Sequence, residues 1–467
     1  MLPERRRALH ARMTEVFEAR YADRLTERLN ELAIHAVRGE LWNKAVLYGR
    51  QLGEKGYVRG AYREAITSYE QALAALDHLP ESPETCVAAV ELRLGAAQCL
   101  MNLVEHSRAL ALLNEAETQA RRLDDRARLR RVLALISWSR RHHGDVEGSV
   151  LAAQQGLDVA VSIGDPLVIA GATQSLAVAF EAVGDFQGAA RLLRRNVEAL
   201  ACDQPGPTRD LAIDSRTWLA RVLGILGDFP EGERLGHEAL RLAMEHRREE
   251  LALTAHASLG VVYSRKGAFD AATRVLEAGL AHARASDDRV WRNVIAGILG
   301  LVYARSGRST EGVELLEQAV NDAVQKRTVY FLPLRLSELS IGYRLAGRSA
   351  EAWPLARRAL ELARSQSLRA LEASTLLQLG ALHADADPPD LREAQLHHRE
   401  ALALAGRLAM RPFVAHCHLG LATVCRRAGK PAEAREHLAT AMTMYREMDM
   451  AYYLQQAELE RREMTTS

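Results

Sequence analysis

Apolar positions along this chain of 467 residues recur with the three- and four-residue spacing of amphipathic helices, and the helices recur in pairs. Glycines that close one helix and open a turn stand at Gly144, Gly184, Gly227, Gly267, Gly307, Gly347 and Gly429, in steps of 40, 43, 40, 40, 40 and 82 residues. The last step spans two periods, and the skipped turn falls in the Ala-Asp-Pro-rich stretch at 386–389. Gly60 extends the series backward, and Val104 fills the turn one period before Gly144.

The register around these turns is constant. Eight residues before each of the seven glycines stands a large aliphatic: Ile136, Leu176, Leu219, Leu259, Leu299, Leu339 or Leu421. The next residue is small, namely Ser137, Ala177, Ala220, Gly260, Gly300, Ser340 and Ala422. Small residues return five after the turn (Ser149, Ala189, Gly232, Ala272, Gly312, Ala352, Ala434). They return again twelve after it (Gly156, Asn196, Ala239, Gly279, Ala319, Ala359, Ala441), where Asn196 is the one intruder.

Two antiparallel helices joined by a short turn approach closely only where their facing side chains are small. Small residues seven apart share one helical face, and the preceding leucine supplies the apolar knob. A turn glycine accepts the left-handed backbone that ends the first helix. An aromatic four before the turn (Phe180, Tyr263, Tyr303, Tyr343) fills the space between hairpins. The pattern predicts helix A, turn, helix B in each unit, for example a helix B over 310–325 and the next helix A over 332–345. A lone hairpin cannot bury its apolar face, so neighbours must stack. With degraded copies at 60–120 and 370–405, about ten units are expected.

Leucine, small residue, turn, small, small resembles the tetratricopeptide repeat, stretched from about 34 residues to 40. The resemblance implies an all-α fold, a right-handed superhelical α-solenoid of about ten such hairpins. Four stretches resemble more narrowly the C-terminal repeat region of bacterial proteins that join a class III adenylate or guanylate cyclase domain to a signal-transduction ATPase. They are 2–13 (LPERRRALHARM), 68–82 (SYEQALAALDHLPES), 411–422 (RPFVAHCHLGLA) and the tail from Ala434 to Gln456. LuxR-type regulators share a related arrangement more distantly. No G-x-x-x-x-G-K-[ST] phosphate loop occurs, and Gly429-Lys430 is followed by Pro431 at a repeat turn. The catalytic and nucleotide-binding parts of such relatives are therefore missing, and a separated module is expected.

The expected layout is an N-terminal helical cap or docking region at 1–58, the repeat solenoid at 59–460 and a frayed tail at 461–467. Two helices are predicted over 3–38, broken near Arg20–Asp23, and another over 41–58. The link at 201–209, with Pro205 and Pro207, accounts for the 43-residue step.

Composition narrows the function. Lys+Arg total 61 and Asp+Glu 60. That balance argues against nucleic acid as the partner. Five cysteines (Cys86, Cys99, Cys202, Cys417, Cys425) are few and odd in number, so no disulfide framework is implied and a reducing cytoplasm is the natural setting. No run of about 18 apolar residues is found, so no membrane span is expected.

Candidate chemistry is sparse. His383, His397, His398, His416, Cys417, His418 and Cys425 lie near one another in sequence, but His416 and His418 point to different helix faces and no CxxC spacing occurs, so no metal or cofactor is expected. No nucleophile elbow or reactive Cys–His context appears, and no catalytic residue is assigned. Arginines form columns at the ends of the A helices: Arg265, Arg305 and Arg427 two before their turns, and Arg141, Arg344 and Arg426 three before. A cation in a last helical turn is favoured by the helix dipole alone. Resemblance to tetratricopeptide proteins, whose A helices line the concave groove, implies that these arginines, with Trp138, Gln174 and Arg221, meet an acidic peptide or carboxylate ligand. The expectation is a non-catalytic scaffold or sensor in signal transduction. It would bind a protein segment or, alternatively, a small effector, in the service of an attached or partner ATPase, cyclase or transcription regulator.

Overall fold

The computed structural model describes residues 3–466 apart from 202, 203, 205 and 287. Cys202 and part of the 201–209 link thus lie outside the described residues, as do Leu2 and Ser467. Helices α1 (Pro3–Arg20) and α2 (Leu29–Arg38) flank a short 3-10 segment at Ala22–Glu27, where the N-terminal helix was expected to break.

Ten helical hairpins follow. The first are α3–α4 (Trp42–Val58, Tyr62–Leu76), α5–α6 (Pro83–Asn102, His106–Arg122), α7–α8 (Arg126–His142, Val146–Ile163) and α9–α10 (Pro166–Val183, Phe186–Ala199). Next come α11–α12 (Pro207–Leu226, Phe229–Glu245), α13–α14 (Glu249–Lys266, Phe269–Ala285) and α15–α16 (Arg289–Arg305, Ser309–Gln325). The series ends with α17–α18 (Leu332–Leu345, Ser349–Ser365), α19–α20 (Arg369–Asp385, Leu391–Arg407) and α21–α22 (Arg411–Arg427, Pro431–Glu447), capped by α23 (Ala451–Thr466). No strand occurs among the described residues.

The tight crossings fall on the small residues. A Cβ added to Gly312 would stand 2.6 Å from the carbonyl oxygen of Gly300 and 2.7 Å from the amide nitrogen of Ala304, so α15 and α16 touch backbone to backbone. At Gly260 the same test meets the Leu276 side chain at 2.3 Å. The intruder Asn196 is buried, but its amide donates to the Ala170 carbonyl at 2.9 Å and lies 3.4 Å from the Ser215 hydroxyl. A buried amide with its bonds made costs little, so the exception is tolerated.

The aromatics before the turns join successive hairpins. The Tyr303 hydroxyl donates to Glu277 at 2.6 Å and that of Tyr343 to Glu317 at 2.8 Å, each reaching helix B of the preceding hairpin. The arginine just past the turn covers the ring, Arg308 at 3.6 Å and Arg348 at 4.2 Å from the centroid. The returning turns, from helix B to the next helix A, also need a left-handed residue. Six of them use Asp124, Arg247, Arg327, Ser367, Ala409 and Asp449, none of them glycine, so no sequence signal marks these; the α8–α9 return uses Gly164.

One expectation needs correction. Helix α9 has an 18-residue window of mean hydropathy 1.4, long and apolar enough by length and composition to cross a membrane. Thr173, Gln174, Ser175 and Glu181 interrupt its apolar positions, so the sequence shows no unbroken apolar run there. Ala170, Ala172, Leu176, Ala177 and Ala179 are buried in the protein, as in a core helix.

The chain divides into two compact units, Met1–His143 with Leu151–Val168, and Gly144–Val150 with Ile169–Ser467. The second, C-terminal unit folds back on itself. A Cβ on Gly184 would meet Leu408 at 3.1 Å, one on Gly227 would meet Met448 at 2.6 Å, and one on Gly267 would meet the Tyr453 ring at 2.8 Å. Gly144 faces Val329 and Gln366 in the same way. Early turns therefore pack against segments several hairpins further along. Shared clusters bury this seam: Ala177, Phe186 and Leu223 with Ala373, Leu404 and Met410, and Phe229 and Val262 with Ala422, Tyr445 and Met448. Lys266 adds an ion pair to Asp449 at 3.0 Å.

Candidate effector site inside the C-terminal unit

The inner face of the C-terminal unit carries a partly open cavity, walled on one side by the folded-back α23. Its volume is about 420 Å³, within the range of small-ligand pockets. Helices α14, α15, α17, α19, α20, α21 and α23 contribute to the wall. The apolar part is Phe269, Leu345, Leu377, Phe413, Leu419, Tyr452 and Tyr453, and the polar part includes Arg305, Arg344, Gln378, His398 and His416.

Two of the expected arginines, Arg305 and Arg344, line this cavity. Arg344 is already engaged, through Nε to Gln378 at 3.1 Å and Nη1 to Asp385 at 2.9 Å. Arg305 lies within hydrogen-bonding reach of the Tyr453 hydroxyl, whose pKa burial pushes up. Arg265 stands beside the wall, its guanidinium 5.3 Å from the centroid of Phe413. Its Nε and Nη1 are buried without a hydrogen-bond partner. Burial, then the nearby charges of Arg221 and Arg305, lower its pKa to about 10. A buried guanidinium with unmet donors is costly unless an anion meets it.

The other expected residues make their contacts elsewhere in the fold. Arg221 pairs with Glu181 at 3.2 Å and lies 5.8 Å from the Trp218 ring centroid. Gln174 donates to Asp214 at 2.9 Å and accepts from Ser215 at 2.9 Å. Burial raises the Asp214 carboxyl to about 7. Arg426 ties α21 to α23 through Glu460 and Glu463, each at 2.6 Å, and Arg427 donates to the Ala384 carbonyl at 2.6 Å. Trp138 and Arg141 belong to the N-terminal unit. There Trp138 stacks on His142 at 3.7 Å between centroids, with His106 at 5.4 Å, and Arg141 is buried.

Two histidines that the sequence groups together, but that spacing does not mark as site residues, line this cavity. His398 is 3% exposed and fits only because Gly380 and Gly420 carry no side chain; a Cβ on either would stand within 2.8 Å of its ring. Its Nδ1 has no partner, and burial lowers its pKa to about 4. His416 has its Nδ1 2.8 Å from the Tyr445 hydroxyl, and burial with the charges of Arg305 and Arg265 lowers its pKa to about 3. Phe413, Tyr452 and Tyr453 were equally unmarked, because α23 meets α14 only through the fold-back, with Tyr452 edge-on to Phe269 at 4.9 Å.

With this geometry in view, comparison with solved structures gives the fold. The chain is similar to a Rap protein solved in complex with competence and sporulation factor, at TM-score 0.58 and 13% identity over 77% of this chain and 98% of that one. It is also similar to the apo form of the quorum sensor NprR from B. thuringiensis, at TM-score 0.51 and 13% identity over 76% and 97%. The fold is an all-helical solenoid of the tetratricopeptide-like class. No family model matches the chain, and no curated protein matches it by sequence.

Proposed function

We propose that this protein is a non-catalytic tetratricopeptide-like sensor and scaffold that relays a signal through protein–protein contact, with its C-terminal unit reading the effector. The supporting observation is the pair of unmet Arg265 donors beside an aromatic cavity that also presents Arg305. A carboxylate would satisfy those donors in the bidentate geometry that guanidinium favours, while an apolar body fills the space against Phe269, Phe413 and Tyr452. The end of a short peptide has both parts. One of the similar solenoids was solved with a signalling factor and the other is a quorum sensor; carrying that mode of action here belongs to the proposal.

Calorimetry with short peptides ending in an aromatic residue, each made with a free and an amidated C-terminus, tests it. Free-acid peptides should bind at least about tenfold more tightly than amides, and Arg265→Met should remove the difference. Equal affinity for both forms, or indifference to Arg265→Met, would sink the carboxylate reading.

A second element concerns the output. Helices α1 to α3 leave Leu9, Val16, Ile34, Val37, Leu47 and Val58 exposed, an apolar series that a partner domain would cover. The partner implied by the cyclase-linked resemblance is a signal-transduction ATPase or cyclase domain, attached or separate, docked on the 1–58 region. In this reading the purified chain forms no cyclic nucleotide and turns over no ATP, and measurable synthesis by the pure chain would refute it.

A further inference from the structure

The hairpin α19–α20 lacks a turn glycine, and the Asp-Ala-Asp-Pro-Pro-Asp segment at 385–390 joins its helices instead. At this junction His383, near the end of α19, meets Glu393 and His397, one helical turn apart at the start of α20. One ligand atom from each of the three lies within 4.8 Å of the other two. The His383 and His397 rings are 5.3 Å apart between centroids, tilted by 34°. All three residues are half-buried.

The Nδ1 of His397 is buried and without a hydrogen-bond partner, and the nearest carboxylate to it, Glu400, stands 3.9 Å away. Trp353 closes one side, edge-on to His383 at 4.6 Å.

We propose that His383, Glu393 and His397 bind one divalent transition-metal ion, with zinc the best match. Two imidazoles and one carboxylate suit zinc or its first-row neighbours and not calcium, which takes six to eight oxygen ligands. Three protein ligands leave a fourth tetrahedral position for water. The ion would tie the last turn of α19 to the first turns of α20, replacing the cross-link that a tight glycine turn supplies in the neighbouring hairpins. Sequence spacing concealed the site because His383 is not within one turn of either partner, and because Glu393 stands outside the histidine and cysteine group.

The full-length chain, stripped with a chelator and dialysed, is titrated with Zn²⁺ by calorimetry and with Co²⁺ by visible absorption, the latter reporting tetrahedral coordination. One ion per chain is expected, with Kd tighter than about 10 µM and a tetrahedral Co²⁺ spectrum. His383→Ala and His397→Ala should each weaken binding by about 100-fold and Glu393→Gln by about 10-fold, while His418→Ala leaves it unchanged. His383→Gln and His397→Gln, which keep side-chain volume, replace any alanine variant that loses its helical circular dichroism. Binding weaker than about 10 µM, or binding indifferent to the His383 and His397 variants, overturns the proposal.

Discussion

Gly267 and Gly307 end the same kind of helix, one repeat apart, with left-handed backbones at φ 85° and 92°. Around Gly307 nothing lies within 4 Å of where a side chain would begin, whereas Gly267 faces the Tyr453 ring at 2.8 Å and Tyr452 at 3.1 Å. Gly184 and Gly227 resemble Gly267 in this respect, and Gly347 and Gly429 resemble Gly307. Early turns of the C-terminal unit are built into a seam, while later ones end in solvent. One residue type at one repeat position thus does two jobs, chain reversal everywhere and close approach only where the unit meets itself. The seam also creates the cavity, since Tyr452 and Tyr453 reach its wall only by crossing to α14.

Alanine substitution separates the two jobs. Gly267→Ala should cost about 3 kcal/mol in urea unfolding, the left-handed penalty plus displacement of a packed ring. Gly227→Ala should cost about 2 kcal/mol, because the obstructing Met448 sulfur can swing aside; a Met448→Ala partner mutation should couple to it and not to Gly307→Ala.

The cavity histidines sharpen the comparison by pH. His398 and His416 titrate at about 4 and about 3 in the folded chain and near 6.5 when unfolded. The unfolded state therefore binds more protons below pH 6.5, and stability falls as pH drops through that window. The loss at pH 5 should be about 2 kcal/mol for each histidine, at 1.36 kcal/mol per pH unit. His398→Asn and His416→Asn should flatten the stability-versus-pH curve between pH 6.5 and 5; an unchanged slope would show that these rings are not held neutral.

Gly307→Ala, with strain but no obstruction, should cost about 1 kcal/mol. If it costs as much as Gly267→Ala, the seam contributes nothing at these turns. The smallest effect is a gain: Ala409→Gly, at a left-handed return turn with φ 55°, should stabilise by about 0.5 kcal/mol.

Much of the fold was legible because repeat physics is local. The register of Leu299, Gly300 and Gly312 around Gly307 specifies a hairpin through contacts only twelve residues apart, and the hairpins around the six other turn glycines follow the same rule. The return turns escaped notice, since a single αL arginine or serine is tolerated where the surrounding helices force it. The site was legible only in part. Helix-end position singled out Arg305, which lines the cavity, and Arg265, which stands beside it, but equally Arg426 and Arg427, which bond to Glu460, Glu463 and the Ala384 carbonyl.

The amino-acid order alone determined that helices form, where they turn and which faces are narrow enough to pack, because each of those choices is settled within about one repeat. Which turn glycine meets a neighbour, which arginine keeps unmet donors and which histidines converge were decided only by tertiary structure. Those outcomes depend on the small rotation between hairpins accumulating until distant segments of the C-terminal unit touch, and no local pattern encodes that sum.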